Sequence, residues 1–394
     1  MSLAPPRSVP ISRPFLGEEE LAAIQQPLRD GWVVQGPRVA EFERKFADFC
    51  GLAHAVATTS CTTALHIGVV ALGAGPGDEV IVPAFTWIST ANVVAHAGAT
   101  PVFCDVSLET FNLDPASLAA AVTERTVGVI PVHLFGLPAD MDAVDAVARR
   151  HGLWVLEDAA CGFGARLDGR HVGHLGDAGC FSFHPRKSIT TGEGGMFTTD
   201  DGALAELARS LRDHGASRSD HARHTSAGAF RLADYDHLGF NYRMTDIQGA
   251  LGSVQMDRAS SILAERARQA RFYQEALADL DWLRLPAVPA GVTHGWQAFV
   301  CLYTPQEPTL ANLDALHAGR DRLMAALEEE GVATRPGTHA PVLSSVYAER
   351  CGFTAASFPC AALAESLSLA LPLYAGLDDD DLEHVAAAVR RLGP

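Results

Sequence analysis

One lysine stands apart in this chain. Of its 30 lysines and arginines only two are lysines, Lys45 and Lys187. Arginine keeps its proton and forms no Schiff base, whereas a lysine can lose its proton and form one. Lys187 lies in FSFHPRKSITTGEGG, the stretch Phe181 to Gly195. An apolar run (Cys180, Phe181, Phe183) precedes it, and glycines follow at Gly192, Gly194 and Gly195. A lysine kept beside a glycine-rich turn suits covalent catalysis. An ordinary loop cation is the competing reading. Lys45 falls among Val39, Phe42, Phe46 and Phe49, which recur at helical spacing, and reads as a solvated helix residue.

Three further places could carry chemistry. Thr59-Ser60-Cys61-Thr62-Thr63-Ala64 follows a strand-like run and opens a helix, where free amides and hydroxyls make an anion site. A plain Ser/Thr helix cap reads equally well there. Trp87, in PAFTWISTAN, follows the next strand, where an indole can stack on a flat ring or pack into the core. Asp158 closes the apolar run WVLED. A carboxylate at the mouth of a buried strand needs a partner, and a ring N–H⁺ would serve; a helix-capping Asp is the duller reading. Each signal is weak alone. Together, a phosphate cradle, a stacking aromatic, a carboxylate and a lysine are the parts that pyridoxal phosphate (PLP) requires.

The elements that position these residues alternate. Strands are expected at Ala53–Thr58, Glu79–Pro83, Pro101–Val106, Val127–Val132, Trp154–Asp158, Gly179–Phe183 and Met196–Thr199, with helices between most of them. Asp114-Pro115 opens one of those helices as cap and first-turn proline. Such alternation predicts an α/β fold, a mostly parallel sheet with helices on both faces. Ligands gather at the carboxyl ends of strands in such sheets. Before the sheet, Glu18 to Leu28 reads as a helix disturbed near its end by Pro27. After it, a helix from Asp257 to Leu280 leads into a smaller α+β domain. That domain is expected to hold a loop at Pro286–Gly295, a strand at Gln297–Tyr303, and helices at Arg320–Glu330 and Asp380–Leu392. The expected division is residues 12–250 for a large cofactor-binding domain and 251–394 for the small C-terminal one.

Composition narrows the partners. With 394 residues, 48% hydrophobic and 20% charged, the chain is long enough for two domains and has a globular balance. A net charge of −17 argues against nucleic acid and anionic membranes as partners. The proline-punctuated N-terminus lacks the apolar run of a signal peptide, and no apolar window spans a bilayer. Eight scattered cysteines without a CxxC pair suggest reduced thiols in a cytoplasmic protein, with neither a disulfide framework nor a metal site.

The chain resembles the DegT/StrS-type sugar aminotransferases, which share the aspartate aminotransferase fold (fold type I of PLP enzymes). The likeness covers nearly the whole chain. It runs through ISRPFLGEEE, GWVVQGPRVAEFE, GDEVIVPAFTWISTAN, GATPVFCDV, VIPVHLFG, VLEDAACGFGA, FSFHPRKSITTGEGG, GFNYRMTDIQGALG and FPCAALAESLSLALPLY. The resemblance implies that Lys187 binds PLP covalently and shuttles a proton, and that Asp158 keeps the pyridine nitrogen protonated. It implies that Trp87 stacks on the ring and that Thr62, Thr63 and Ser182 hold the phosphate. Asn241 would reach the phosphate of the neighbouring subunit, implying a homodimer with shared sites.

The implied reaction moves an amino group from glutamate or glutamine to a keto sugar, in most members nucleotide-linked. Trp32, Gln35, Arg335 and His339 fall where the family contacts its substrate. Arg218, Arg223 and Arg231, in the stretch from His214 to Arg231, could bind a diphosphate or form a solvated loop. Two positions depart from the family. Cys161 replaces the usual Gln or His near the cofactor's hydroxyl, and Cys61 replaces a small residue in the phosphate loop. The competing functions are amination of a cyclitol ketone, a PLP-dependent sugar dehydratase, and a non-catalytic sensor that keeps the fold. An intact Lys187 argues against the dehydratase branch, and the sensor reading predicts an impaired lysine or phosphate loop.

Overall fold

The computed structural model describes residues 7–217 and 234–394, so the expected cluster of Arg218, Arg223 and Arg231 lies outside the described residues. Two helices come first, α1 (Glu18–Asp30) and α2 (Pro37–Cys50). The chain then alternates β1 (His54–Thr58), α3 (Cys61–Ala71), β2 (Glu79–Pro83), α4 (Ser89–His96), β3 (Thr100–Cys104) and α5 (Pro115–Ala121). Next come β4 (Thr126–Val129), α6 (Met141–His151), β5 (Trp154–Asp158), the short β6 (Arg166–Leu167) and β7 (Arg170–His171), β8 (Ala178–Ser182), β9 (Gly195–Thr199) and α7 (Gly202–Arg212). All seven expected strands are present. Glu79–Pro83 and Trp154–Asp158 keep their expected bounds, and the others shift at their ends. α1 departs from expectation: it carries Pro27 inside it and runs on to Asp30, where Gly31 at φ 70° ends it.

Seven strands form one sheet in the order β1-β9-β8-β5-β4-β2-β3. β9 is antiparallel to both its neighbours, and the remaining pairs are parallel. The reversal has a local cause. A parallel neighbour needs a crossover, usually a helix, but β8 and β9 are joined by the loop 183–194. That loop carries Lys187. β2 and β9 are buried at every position, as expected of strands covered on both faces.

The C-terminal part holds α8 (Asp246–Asp257), α9 (Ala259–Ala276), β10 (Leu283–Arg284), β11 (Val292–Thr293), β12 (Phe299–Tyr303) and α10 (Leu313–Glu329). α11 (Ser345–Cys351), α12 (Pro359–Leu367), β13 (Ser368–Leu371) and α13 (Asp379–Leu392) complete it. The helix expected from Asp257 to Leu280 is present as α9, and a separate helix, α8, precedes it and meets it at Arg258. β10, β12 and β13 make a small antiparallel sheet. The stretch expected as a loop at 286–295 contains β11, which pairs with β6.

Contacts cross residue 250 in both directions. Val9 bridges Val332. Phe103 packs edge-on against Tyr347, Phe353 and Phe358. The Asp105 carboxylate at the end of β3 accepts from the Cys360 and Ala361 amides at 3.0 and 2.8 Å, capping α12. A carboxylate at a helix N-terminus satisfies orphan amides and the dipole together.

Candidate active site

Asp158 is where burial and charge conflict most. The apolar run Trp154–Leu156 draws β5 into the sheet, and its last residue goes with it, leaving Asp158 3% exposed. One oxygen, Oδ2, accepts from Thr90 Oγ1 at 2.7 Å. The other, Oδ1, accepts from the Ala160 amide at 3.1 Å, with Cys61 Sγ 4.0 Å away. Burial pushes this carboxyl above its ordinary range, and the Thr90 and Ala160 donors with the charges of Lys187 and His133 only partly offset it. No ion pair reaches Asp158 among the described residues. A buried carboxylate held by neutral donors is short of a cationic partner.

Its neighbour in sequence, Glu157, is fully satisfied. It accepts from His133 Nε2 at 2.8 Å and from the Gly173, Leu175 and Gly176 amides at 2.6, 2.6 and 2.7 Å. His133 Nδ1 accepts from the Ala139 amide, which places the ring proton on Nε2, facing Glu157. Burial alone would raise Glu157, yet these donors hold it below the ordinary range. The pair anchors the end of β5 beside Asp158.

Lys187 follows β8. The loop turns as the Lys187 amide donates to the His184 carbonyl at 2.8 Å, and Nζ comes to 3.1 Å from Cys161 Sγ. Cys161 lies in the turn after β5, so two strand ends converge here. The departure from the usual Gln or His therefore puts a thiol against the lysine. Cys61, the other departure, comes from the start of α3 and points toward Asp158.

That start of α3 is the expected anion site, with one refinement. Ser60 caps the helix and accepts from the Thr63 amide at 3.2 Å, while Thr63 Oγ1 takes the Ser60 amide at 3.0 Å. This is a reciprocal capping box. Both readings of the motif thus hold at once: Thr63 is engaged in the cap, and the Cys61 and Thr62 amides and the Thr62 hydroxyl have no hydrogen-bond partner among the described residues. Ser182, at the end of β8, stands opposite Gly195. A Cβ on Gly195 would lie 2.3 Å from the Ser60 carbonyl carbon, so the β8–β9 ends meet the mouth of α3. Only glycine permits that approach.

The remaining candidates lie around this centre. Trp87 is 53% exposed, which excludes core packing for it. Its ring is 5.6 Å from that of His339, whose carbonyl accepts from the Thr86 amide at 3.0 Å. Trp32 Nε1 donates to the Gln35 carbonyl at 3.2 Å in a corner packed on the start of α8. Asn241 is exposed and bridges Asp213, next to Tyr242, whose carbonyl accepts from the Thr59 amide at 3.0 Å. Arg335 pairs with Ala370 in backbone and lines a cavity of about 250 Å³ with Asp321 and Glu328 of α10. The structure thus joins Lys187, Asp158, Cys61 and Cys161 at one place, with Trp87 and His339 together near Thr90. Thr90 and the His133–Glu157 pair escaped sequence reasoning. The one available signal for Thr90 was its position three residues beyond Trp87, which places it in the first turn of α4.

The residues present fit pyridoxal phosphate. A buried carboxylate lacks a cation, a lysine amine lies near it, and free amides open a helix across from Ser182.

Comparison with known proteins agrees. The model of the DegT/DnrJ/EryC1/StrS aminotransferase family matches residues 14–390. The spore coat polysaccharide biosynthesis protein SpsC of Bacillus subtilis is 41% identical over 385 residues, covering 97% of this chain and 96% of that protein. The crystal structure of the aminotransferase TlmJ from Streptoalloteichus hindustanus is similar, with a TM-score of 0.86 at 33% identity over 98% of both chains. Spr1654 from Streptococcus pneumoniae, solved in a PLP-form and a PMP-form, has a TM-score of 0.89 at 27% identity over 98% of this chain and 98–99% of that one.

Proposed function

The chain belongs to the DegT/DnrJ/EryC1/StrS aminotransferase family and is a PLP-dependent sugar aminotransferase, and from that premise we propose that it moves an amino group from glutamate or glutamine to the keto group of a nucleotide-linked sugar. The observation that carries this reading is a buried carboxylate, Asp158, that makes no ion pair among the described residues and feels the charge of the nearby Lys187 amine.

When bound, PLP supplies an electron sink and carries the amino group between two half-reactions. Asp158 accepts the ring N–H⁺, which relieves its own burial. The Cys61 and Thr62 amides, the Thr62 and Thr63 side chains and Ser182 hold the phosphate; Thr62 contributes most, because Thr63 already serves the helix cap. Trp87 covers one ring face. Lys187 anchors the cofactor, then moves the proton at the substrate carbon. In a homodimer, Asn241 of one subunit reaches the phosphate held by the other, which its exposure in the single chain supports. His339, beside Trp87, makes the first contact with the acceptor sugar, and Trp32, Gln35 and Arg335 are assigned to its distal part. Residues 12–250 and 251–394 form the two domains of this reading. No helix among the described residues is long and apolar enough to cross a membrane, and we place the enzyme in the cytoplasm.

The test is spectroscopic. Purified protein loaded with PLP should be yellow, and glutamate or glutamine should convert its visible band to that of the aminated cofactor. Keto-sugar nucleotides should then restore the band, and cyclitol ketones should not. A band that no amino donor changes would sink the reading. Lys187→Ala should lose the band and slow turnover by about 10²–10⁴-fold; retention of the band would mean that another residue holds the cofactor.

A further inference from the structure

The thiol of Cys161 has no part in the scheme above, yet its sulfur is the group closest to the lysine that does. The turn carrying it is fixed on both sides. The Ala160 amide is held by Asp158, and the Gly162 amide donates to the Ala159 carbonyl at 2.8 Å. The other groups able to take a proton nearby are committed. Asp158 is given to the ring nitrogen in the scheme above, and His133 is locked between Glu157 and Ala139. Cys61 from α3 and Cys180 from β8 are buried thiols, pushed far up by desolvation and so kept protonated. From the lysine's own loop, His184 accepts from the Arg186 amide, and the charge of Glu193 acts on His184.

We propose that Cys161 is the proton partner of Lys187. Sγ, as thiolate, takes one proton from the Nζ ammonium, leaving a neutral amine and a thiol, and returns it when the lysine is released. One N–H bond breaks, one S–H bond forms, and no electrons leave the pair. The 3.1 Å contact lets the proton pass directly between the two atoms, with no group between them. The proposal rests on Lys187 as the cofactor-anchoring residue, and its tests need neither an amino donor nor a sugar. They can therefore succeed or fail independently of the amination reading.

The first test is alkylation of Cys161 by iodoacetamide in the cofactor-free full-length chain, located by peptide mass spectrometry, with exposed Cys351 as internal reference. At pH 7, Cys161 should react at least about threefold faster in wild type than in Lys187→Met, because the ammonium favours the thiolate. Equal rates overturn the proposal. The second follows the visible band as PLP is added. Cys161→Ala should take up the cofactor about 10²-fold more slowly at pH 7 and approach wild type above about pH 10, where lysine loses its proton unaided. Uptake with the wild-type rate and pH profile overturns it. Cys161→Ser, closer in size, repeats this measurement if the alanine variant does not fold, with the same slow uptake expected.

Discussion

Thr90 Oγ1 lies 2.7 Å from Asp158 Oδ2 and 3.1 Å from the Trp87 carbonyl. A hydroxyl has a single proton, and the shorter, charge-assisted contact claims it. This side chain therefore ties the exposed corner that carries Trp87 to the buried carboxylate.

Thr90→Val keeps the shape and removes the donor. A buried acceptor left short of its hydrogen bond costs about 1–3 kcal/mol, so urea unfolding of the cofactor-free variant should show that loss and Thr90→Ser should recover most of it. Identical unfolding curves for valine and wild type would remove Thr90 from the account.

Asp158 makes a pH prediction. Its folded carboxyl is raised, chiefly by burial. A raised group contributes stability below its unfolded value, about 3.9, and that contribution is lost as pH rises through the folded pKa. At pH 7 the cofactor-free Asp158→Asn variant should melt above wild type, with the gap closing toward pH 4. With PLP present the order should reverse, and turnover should fall by about 10²–10³-fold. A variant that melts below wild type without cofactor at pH 7 would contradict this.

Glu157 predicts the opposite slope. Burial raises it, but His133 and the three amides win and the folded value is depressed. Its contribution is present above the unfolded value, about 4.3, and is lost as pH falls through the folded one. Glu157→Gln should lose about 1–3 kcal/mol at pH 7 and show a flatter decline in acid than wild type. Parallel acid-unfolding curves would count against it.

Gly195→Ala tests the mouth of α3. Its Cβ would meet the Ser60 carbonyl carbon at 2.3 Å and the Cys61 nitrogen at 2.5 Å, backbone atoms that cannot step aside. Overpacking of this kind costs about 1–3 kcal/mol. The variant should melt lower and bind PLP more weakly in fluorescence titration. A neutral effect on both would show that the two segments can separate.

Much of this was legible in the chain. Val39, Phe42 and Phe46 at helical spacing became the buried face of α2, and Asp114 capped α5 from the residue before Pro115. Lys187 and Asp158 could be picked out because each is unusual for its setting, a rare lysine and a carboxylate ending an apolar run. Thr90 is an ordinary threonine in the first turn of a short helix, α4, and only its place three residues beyond Trp87 distinguishes it. Arg335 and His339, four residues apart, looked equivalent. Only folding sends one toward α10 and the other to Trp87.

The sequence by itself determined the alternation of strands and helices, the caps, the family resemblance and the lysine–carboxylate pair. These depend on local periodicity and on residue types within a few positions. The tertiary structure decided who faces whom. Thr90 reaches Asp158 across 68 positions, and Cys161 reaches Lys187 across 26. It also decided that β9 runs against its neighbours and that Thr63 serves the cap while Thr62 stays open. Such pairings follow from which strand ends lie side by side in the sheet, and strand order is a property of the whole packed chain.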